Sequence, residues 1–263
     1  MPSLPSNLAL AEDPWHTLIV PKKIYFDEQA AERYDETSAD MFAPDVLNPA
    51  VSFLADLAGE GAALEFGIGT GRIALPLSQR GVRVHGIDLS SAMIERLQAK
   101  PGGENIGVTV GDAATTGVAG TFRVVYMVWN TIMNLTTQDE QVECFRNAAA
   151  HLVSGGCFVI EVMVPELQRL PPGETVRPFL VSPTRLGFDE YDIPVQGLVS
   201  YHYWVNGDHA RVHHVPFRYV WPSELDLMAR IAGMTLRGRW GGWQGEPFTG
   251  DSTRHVSVWE KTA

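Results

Sequence analysis

A strand that breaks into three alternate glycines constrains the fold of this chain more than any other feature. The short apolar segment 62–66 predicts the strand, and a helix is expected over residues 72–79. The glycines between them are Gly67, Gly69 and Gly71. A second apolar segment, 82–87, ends at Asp88. A strand, a glycine turn, a helix, a second strand and a terminal acid, in this order, predict one half of a nucleotide-binding α/β fold.

Each part of this motif has a chemical reason. Glycines allow a tight turn and bring backbone amides close to a ligand. The helix expected near Arg72 presents N–H groups without intrahelical partners, together with the positive end of its dipole. The carboxylate of Asp88 can accept hydrogen bonds from both hydroxyl groups of a ribose. The motif therefore indicates a cofactor that contains adenosine.

The spacing of the glycines narrows the choice of cofactor. The dinucleotide fingerprint is G-x-G-x-x-G, whereas the pattern here is G-x-G-x-G, with Glu65 two residues before the first glycine. This pattern resembles motif I of the class I S-adenosylmethionine-dependent methyltransferases. In that family the acid at the position of Glu65 lies near the cationic amino group of the cofactor. A pyrophosphate would instead bring like charges together in a partly desolvated site.

The resemblance implies an α/β fold with a Rossmann-like seven-stranded sheet, and S-adenosylmethionine as cofactor. It implies that Arg72 faces the carboxylate of the cofactor and that Asp112 lies against the adenine amino group. Tyr25, Tyr34 and Trp129 are candidates for the sulfonium site, because aromatic faces attract cations. For Tyr34, packing on the core is an equally good interpretation. The complete set of expected cofactor-binding residues is Tyr34, Glu65, Gly67, Gly69, Gly71, Arg72, Asp88, Leu89, Asp112, Ala113 and Trp129.

Three further strands are predicted at 108–110, 122–128 and 157–162, and a Gly155-Gly156 turn is expected before the last of them. The chain is longer after this fifth strand than a minimal fold requires, because the next amphipathic helix is expected only at 222–232, where Ser223 could cap a slightly shifted first turn. Strands are expected at 179–181, 198–205 and 210–219, with a hairpin turn at Asn206-Gly207-Asp208 between the last two. Methyltransferases of small natural products have an antiparallel insertion here, which walls the acceptor pocket. The expected division is an N-terminal arm that covers the cofactor (1–45), a methyltransferase core (46–165 and 222–263) and an inserted substrate-binding subdomain (166–221).

Histidines of the insertion are the candidates for catalysis. His202 and Tyr203 lie on opposite faces of a strand, as do His213 and His214. Because neighbouring side chains diverge in this way, no metal site is expected. His202 or His214 could act as a general base for an amine or hydroxyl acceptor, and hydrogen-bonded histidines on a half-exposed sheet are the alternative. The expected acceptor-site residues are Tyr25, Asn130, Tyr203, Trp243 and Phe248.

The composition limits the possible partners. The formal net charge is −11, from 20 basic and 31 acidic residues, and we expect no nucleic-acid partner because such binding needs clustered Lys and Arg. No segment approaches the roughly 20 apolar residues of a membrane span. The first residues show no secretory signal pattern, and two cysteines are too few for a disulfide framework. We expect a cytoplasmic protein with a small-molecule acceptor, and the strand edges of the insertion could form a homodimer.

Three functions remain open at this point. The leading hypothesis is S-adenosylmethionine-dependent methyl transfer to N or O of a small metabolite, by proximity and alignment with optional help from a general base. An NAD(P)-dependent oxidoreductase on a Rossmann-like fold is one alternative. A non-catalytic protein that retains the cofactor pocket is the other, and fold alone does not decide among the three.

Overall fold

The computed structural model describes residues 24–262. Residues 1–23 of the predicted N-terminal arm, and residue 263, lie outside the described residues. The helices are α1 (Glu28–Thr37), α2 (Pro44–Ala58), α3 (Ala74–Gln79), α4 (Ser91–Gln98), α5 (Gln138–His151) and α6 (Pro222–Ile231). The strands are β1 (Ala63–Phe66), β2 (Val84–Asp88), β3 (Gly107–Val110), β4 (Phe122–Met127), β5 (Leu152–Met163), β6 (Val176–Val181), β7 (Arg185–Asp192), β8 (Gly197–Asn206), β9 (His209–Arg218), β10 (Met234–Trp240) and β11 (Arg254–Lys261). None of the described helices has the length and apolar character that crossing a membrane would require.

Seven of the strands form one sheet, in the order β10-β11-β5-β4-β1-β2-β3. β11 runs antiparallel to both of its neighbours, and all other pairs are parallel. This topology confirms the predicted Rossmann-like seven-stranded sheet. Since β10 runs in the same direction as β5, the loop after β10 lies at the carboxyl edge of the sheet, where open α/β sheets bind ligands.

Helices cover both faces of this sheet, and successive residues of the central strands pack against opposite layers. Leu64 and Phe66 of β1 face a core cluster that includes residues of α5 and α6. Ala63 faces a second cluster that includes residues of α2 and α3. All four residues of β1 are buried. A parallel strand buried on both faces is apolar throughout, which leaves Glu65 as the exception that needs a functional explanation.

The remaining four strands form a separate antiparallel sheet, in the order β6-β7-β8-β9. We call it the inserted sheet. Its β8–β9 hairpin is the predicted one, with Asn206 paired to His209 across a two-residue turn. The sequence analysis missed β7, Arg185–Asp192, because acidic and basic residues interrupt its apolar alternation.

A buried ion pair joins the inserted sheet to the core. Nη2 of Arg218, on β9, donates to Oε1 of Glu224, on α6, over 2.7 Å. Gln141 of α5 accepts from the same guanidinium over 2.6 Å and donates back to the carbonyl oxygen of Arg218 over 3.2 Å. Glu224 also accepts hydrogen bonds from Gln138 and Gln196. The charges are therefore fully paired, as burial demands.

Two local expectations at element ends are wrong. Gly155 and Gly156 lie inside β5 and not in a turn before it, since a register shift between Phe122 and Val124 of β4 accommodates the positive φ of Gly155. Ser223 does not cap α6. The helix begins at Pro222, whose missing N–H suits the first helical position.

Candidate active site

The glycine turn directly follows β1. Gly67, Gly69 and Gly71 have positive φ angles of 73°, 55° and 81°. A Cβ on Gly67 would lie 2.4 Å from Cγ2 of Thr131, and a Cβ on Gly71 would lie 2.9 Å from the side chain of Leu97. Both the backbone conformation and the close approach therefore require glycine at these two positions.

Asp88, at the end of β2, holds the turn through its carboxylate. Its Oδ2 accepts from the backbone N–H of Gly69 over 2.7 Å, and its Oδ1 accepts from that of Ser90 over 2.9 Å. Burial raises the pKa of Asp88, and these backbone donors oppose the rise. The carboxyl group lies in the wall of a cavity and has further lone pairs for a ligand.

Glu65 is a buried acid in the middle of the apolar strand β1, with 2% of its surface exposed. The hydroxyl of Tyr126 donates to its Oε2 over 2.9 Å. Burial raises the pKa of Glu65 to about 8, against the opposing effects of the Tyr126 hydrogen bond and the Arg72 charge. Within residues 24–262 this carboxyl forms no ion pair, and a cationic ligand group would favour its ionised form.

Two consecutive residues after β4 have strained backbones. Trp129 and Asn130 have φ angles of 53° and 62°, a conformation that non-glycine residues rarely adopt. The N–H of Trp129 donates to Oε2 of Glu161 over 3.1 Å, and Oδ1 of Asn130 accepts from the N–H of Met163 over 2.7 Å. β5 therefore fixes the strained pair. The Trp129 ring, 43% exposed, faces the cavity and lies 5.6 Å from the guanidinium carbon of Arg72. Strain of this kind concentrates at functional sites.

Residues 24–38, which we call the cover segment, dock at the carboxyl edge of the seven-stranded sheet. Asp35 accepts a hydrogen bond from Oγ1 of Thr70 over 2.6 Å and pairs with Lys100 over 2.5 Å. The hydroxyl of Ser90 donates to the carbonyl oxygen of Phe26 over 2.5 Å. The glycine turn and the start of α4 are thus both bonded to this segment.

A cavity of ≈ 990 Å³ lies between the carboxyl edge of the large sheet, the cover segment and the inserted sheet. Tyr34 lines this cavity, and its ring packs edge-on at 6.0 Å against Phe26 of the cover segment, which belongs to neither core cluster. The predicted site residues that line the cavity are Tyr25, Tyr34, Glu65, Gly67, Gly69, Arg72, Asp88, Leu89, Asp112, Ala113, Trp129, Asn130 and His202. Gly71 lies just outside it, in the same turn.

Two predicted residues of the inserted sheet, Tyr203 and His214, lie on the face that is turned away from the cavity. Tyr203 stacks on Phe188 at 5.6 Å, and His214 packs beside Tyr201 at 6.0 Å. Side chains alternate between the faces of a strand, so the face that turns His202 to the cavity turns both of these away. The expectation that Tyr203 and His214 contact the acceptor is therefore not met.

Trp243 and Phe248, both in the loop after β10, also lie away from the cavity. Trp243 packs on Phe53 of α2 at 5.5 Å and lines a separate, shallow depression. Phe248 packs on His255 at 5.5 Å. The loop lies at the carboxyl edge of the sheet, but β10 is the outermost strand and is far from β1 and β4 in the sheet order.

Comparisons with known proteins identify the family. A family model described as a methyltransferase domain matches residues 63–156. The solved structure of the CcbJ methyltransferase from Streptomyces caelestis is 34% identical, with a TM-score of 0.82, and the match covers 92% of this chain and 99% of that one. The chain belongs to the class I S-adenosylmethionine-dependent methyltransferases. Its cofactor is therefore S-adenosylmethionine and not a nicotinamide dinucleotide.

Two further relatives of this methyltransferase extend over most of its length. The cypemycin N-terminal methyltransferase of a Streptomyces species is 29% identical over 246 residues, which are 90% of this chain and 97% of that protein. The structure of CalS10, an amino pentose methyltransferase from Micromonospora echinaspora, shares the fold at 21% identity and a TM-score of 0.68, over 87% of this chain and 97% of that one.

The inserted sheet supplies the cavity wall opposite the glycine turn of the methyltransferase. His202 lines this wall, and its Nε2 lies 3.3 Å from Oγ of Ser200. Burial lowers the pKa of His202, with further lowering by His213 and Arg185. The expected acceptor-site residues did not include the other members of this wall, which are Arg185, Trp204, Arg211, His213 and Phe217. The pairing of their strands with the strand of His202 places these residues in the wall, and the sequence alone does not give that pairing. No cluster of three metal-ligating side chains occurs among residues 24–262.

Proposed function

We propose that this methyltransferase transfers a methyl group to the nitrogen of a small-molecule amine, with His202 as general base. The single observation that carries the proposal is the shared cavity, which is lined on one side by the glycine turn and on the other by His202. Several structural relatives are named for the same atom, among them the sugar N-methyltransferase KedS8 and the glycopeptide N-methyltransferase MtfA.

The residues of the cofactor side fit S-adenosylmethionine. When bound, it supplies a methyl group on a sulfonium, which an aligned nucleophile displaces. Glu65 would accept hydrogen bonds from the amino group, which relieves a buried carboxyl that otherwise stays protonated. Arg72 would pair with the carboxylate and Asp88 with the ribose hydroxyls. The adenine would lie beside Asp112 and Ala113, at the end of β3.

A chain of hydrogen bonds orients the proposed base. Ser200 lies opposite Asp189 in the register of β7 and β8; burial raises the pKa of the Asp189 carboxyl, and the Ser200 hydroxyl opposes that rise. If Ser200 donates to Asp189, its oxygen accepts from Nε2–H of His202. The proton on Nε2 leaves the lone pair on Nδ1, which becomes the atom that accepts a proton from the acceptor.

The basicity of His202 favours nitrogen over oxygen as the methylated atom. A histidine whose pKa is lowered by burial and neighbouring positive charge is neutral at pH 7. It can take a proton from an ammonium group, whose pKa is near 8 to 10 in simple amines. An aliphatic hydroxyl is a far weaker acid, so such a base contributes little to its activation. Alignment in the cavity supplies the rest of the rate.

The proposal is tested by methyl transfer to a panel of matched amines and alcohols, with S-adenosylhomocysteine formation as the readout. We expect turnover with amines and a loss of roughly 10²–10⁴-fold in kcat for His202→Gln. His214→Gln is the matched control, because this histidine belongs to the same hairpin and faces away from the cavity. Binding of S-adenosylhomocysteine, measured by calorimetry, should be the same in both variants.

Three results would count against the proposal. Turnover of alcohols but not of amines would move the methylated atom to oxygen. Equal kcat values for His202→Gln and the unmodified protein would show that His202 does not act as a general base, and alignment would remain as the mechanism. Tight cofactor binding without turnover of any acceptor would favour the non-catalytic hypothesis.

A further inference from the structure

We infer that the acceptor has an anionic group, a carboxylate or a phosphate, which binds at Arg185, Trp204 and Arg211 in the cavity wall. The inference rests on the proposed function, since it describes the other end of the molecule whose nitrogen meets His202. It names a substrate class, an amine with a negative charge several bonds from the nitrogen.

The three residues form one row across three strands. Arg185 of β7 pairs with Trp204 of β8, which pairs with Arg211 of β9. All three line the cavity. The guanidinium carbon of Arg185 lies 5.5 Å from the centre of the Trp204 ring, and that of Arg211 lies 5.9 Å from it. Two guanidinium groups beside one aromatic face suit a planar or tetrahedral anion, which arginine binds with paired N–H groups.

The charge of this row is not neutralised by the described part of the chain. Within residues 24–262, neither guanidinium forms an ion pair with a carboxylate. Arg211 instead donates to the neutral side chain of Gln29 over 3.0 Å. This is unusual in a chain with 31 acidic and 20 basic residues, because like charges near one another repel unless an anion separates them.

The acids of the cavity lie elsewhere. Glu65, Asp88 and Asp112 belong to the cofactor side. The other two, Asp27 and Glu36, come from the cover segment, and Asp27 already accepts the N–H of Ala30 as the cap of α1. The inserted sheet contributes positive and aromatic side chains to the part of the wall around Trp204, and that part therefore attracts a negative group.

The row also has a fixed distance from the proposed base. Trp204 and His202 are two residues apart on β8 and share its cavity face, so about 7 Å separates their positions along the strand. Burial lowers the pKa of His202 most, His213 contributes next, and the positive charge of Arg185 lowers it further. A bound anion would offset that effect and make His202 a stronger base. Recognition of the anion and readiness of the base are thereby linked.

The test uses a rigid amine with and without the charge. 4-(Aminomethyl)benzoate, its neutral amide and the corresponding phenylphosphonate are titrated into the protein saturated with S-adenosylhomocysteine, and heats of binding are measured. We expect an anionic probe to bind at least about tenfold more tightly than the amide, with weaker binding at higher salt. The carboxylate and phosphonate arms distinguish the two sources of the anion. Arg185→Gln/Arg211→Gln should abolish the preference and leave S-adenosylhomocysteine affinity unchanged.

Arg230→Gln is the matched control, because this arginine is exposed on α6 and does not line the cavity. Equal binding of the charged and neutral probes, no binding of any probe, or an undiminished preference in the double variant would each overturn the inference. Methyl transfer to the amide with no dependence on the two arginines would do the same, and would leave the proposed function standing. A charge preference in binding without methyl transfer to any amine would support the anion site and contradict the proposed function.

Discussion

The hydroxyl of Tyr126 donates to Oε2 of Glu65 over 2.9 Å, from the position directly opposite on the neighbouring strand β4. Both residues are buried. The hydrogen bond stabilises the ionised carboxyl, but burial outweighs it, and the pKa of Glu65 rises to about 8. In the protein without cofactor, this carboxyl is therefore mostly protonated at pH 7.

Cofactor binding should release a proton from Glu65. The ionised carboxyl is the form that pairs with a cationic amino group, so binding lowers the pKa of Glu65 from about 8. Between pH 6 and pH 7, affinity for S-adenosylmethionine should rise nearly tenfold per pH unit, and the rise should end near pH 8, where α-amino groups themselves lose a proton. Calorimetry in two buffers of different ionisation enthalpy measures the proton release directly.

Glu65→Gln is the control for this linkage. The amide cannot ionise, so the variant should bind the cofactor more weakly and show neither proton release nor the rise below pH 8. Proton release of the same size in the variant would assign the linkage to another group.

The approach of Gly67 to Thr131 should make Gly67→Ala strongly destabilising. The new Cβ would lie 2.4 Å from Cγ2 of Thr131 in a residue with φ of 73°. The left-handed backbone conformation should lower the free energy of unfolding by about 1–2 kcal/mol, and overpacking should lower it by a further amount of about 1–3 kcal/mol. Gly81→Ala separates the two effects, since φ is 88° there and nothing lies within 4 Å. Chemical denaturation should also show partial recovery in Gly67→Ala/Thr131→Ser, which lacks the clashing methyl group.

Asp88→Ala should weaken S-adenosylmethionine binding by roughly 10- to 150-fold, which corresponds to the loss of hydrogen bonds to a charged group of about 1.5–3 kcal/mol. Asp88→Asn retains one oxygen for Gly69 or Ser90 and should lose less. Both affinities are measured by calorimetry at pH 7.5. Equal affinity of the alanine variant and the unmodified protein would contradict the ribose assignment.

The Arg218–Glu224 pair should make the anchor of the inserted sheet sensitive to acid. Burial raises the pKa of Glu224, but hydrogen bonds from Arg218, Gln196 and Gln138 outweigh it, and the net shift is downward. The stabilising contribution is therefore complete above the unfolded pKa near 4.3 and is lost as pH falls through the lower folded value. Glu224→Ala should lose about 3–5 kcal/mol of unfolding free energy at pH 7, because Arg218 stays buried without its partner. In Glu224→Ala, the free energy of unfolding should also no longer show the decrease at acidic pH that the titration of Glu224 causes.

His202 should set the acidic limb of the kcat/KM profile, which reports groups of the protein before the acceptor binds. Since its pKa is lowered below the ordinary value of 6.5, kcat/KM with an amine acceptor should rise with pH through a midpoint below 6.5 and then level off. Asp189→Asn should lower kcat by about tenfold or more and shift this midpoint, with little change in cofactor affinity, because Ser200 loses the acceptor that fixes the His202 tautomer. An unchanged midpoint in Asp189→Asn would leave the residue a purely structural role.

The cofactor half of the site could be predicted from the sequence because its residues lie close together in the chain. Glu65, the glycines and Asp88 follow one another through a strand, a turn and a second strand, and parallel strands place such ends at one edge. The continuous apolar sequence of β4 and the turn residues of the β8–β9 hairpin also predicted these elements correctly.

The acceptor half could not be predicted in the same way, because it depends on contacts between distant segments. The alternation of side chains along β8 predicted that His202 and Tyr203 lie on opposite faces of the strand. The sequence of the strand alone does not show which of the two faces is turned to the core. The row of Arg185, Trp204 and Arg211 needs the register of three strands, one of which was not recognised. The division of the chain into 1–45, 46–165 with 222–263, and 166–221, like the role of each site residue, stays a prediction.

One ten-residue helix touches both halves of the site. Near its end, Asp35 is bonded to Thr70 of the glycine turn, and near its start Gln29 is bonded to Arg211 of the inserted sheet. We expect a displacement of α1 to break both contacts together. The two products would then leave in kinetically coupled steps, and a change at Gln29 should alter the release of S-adenosylhomocysteine as well as that of the methylated acceptor.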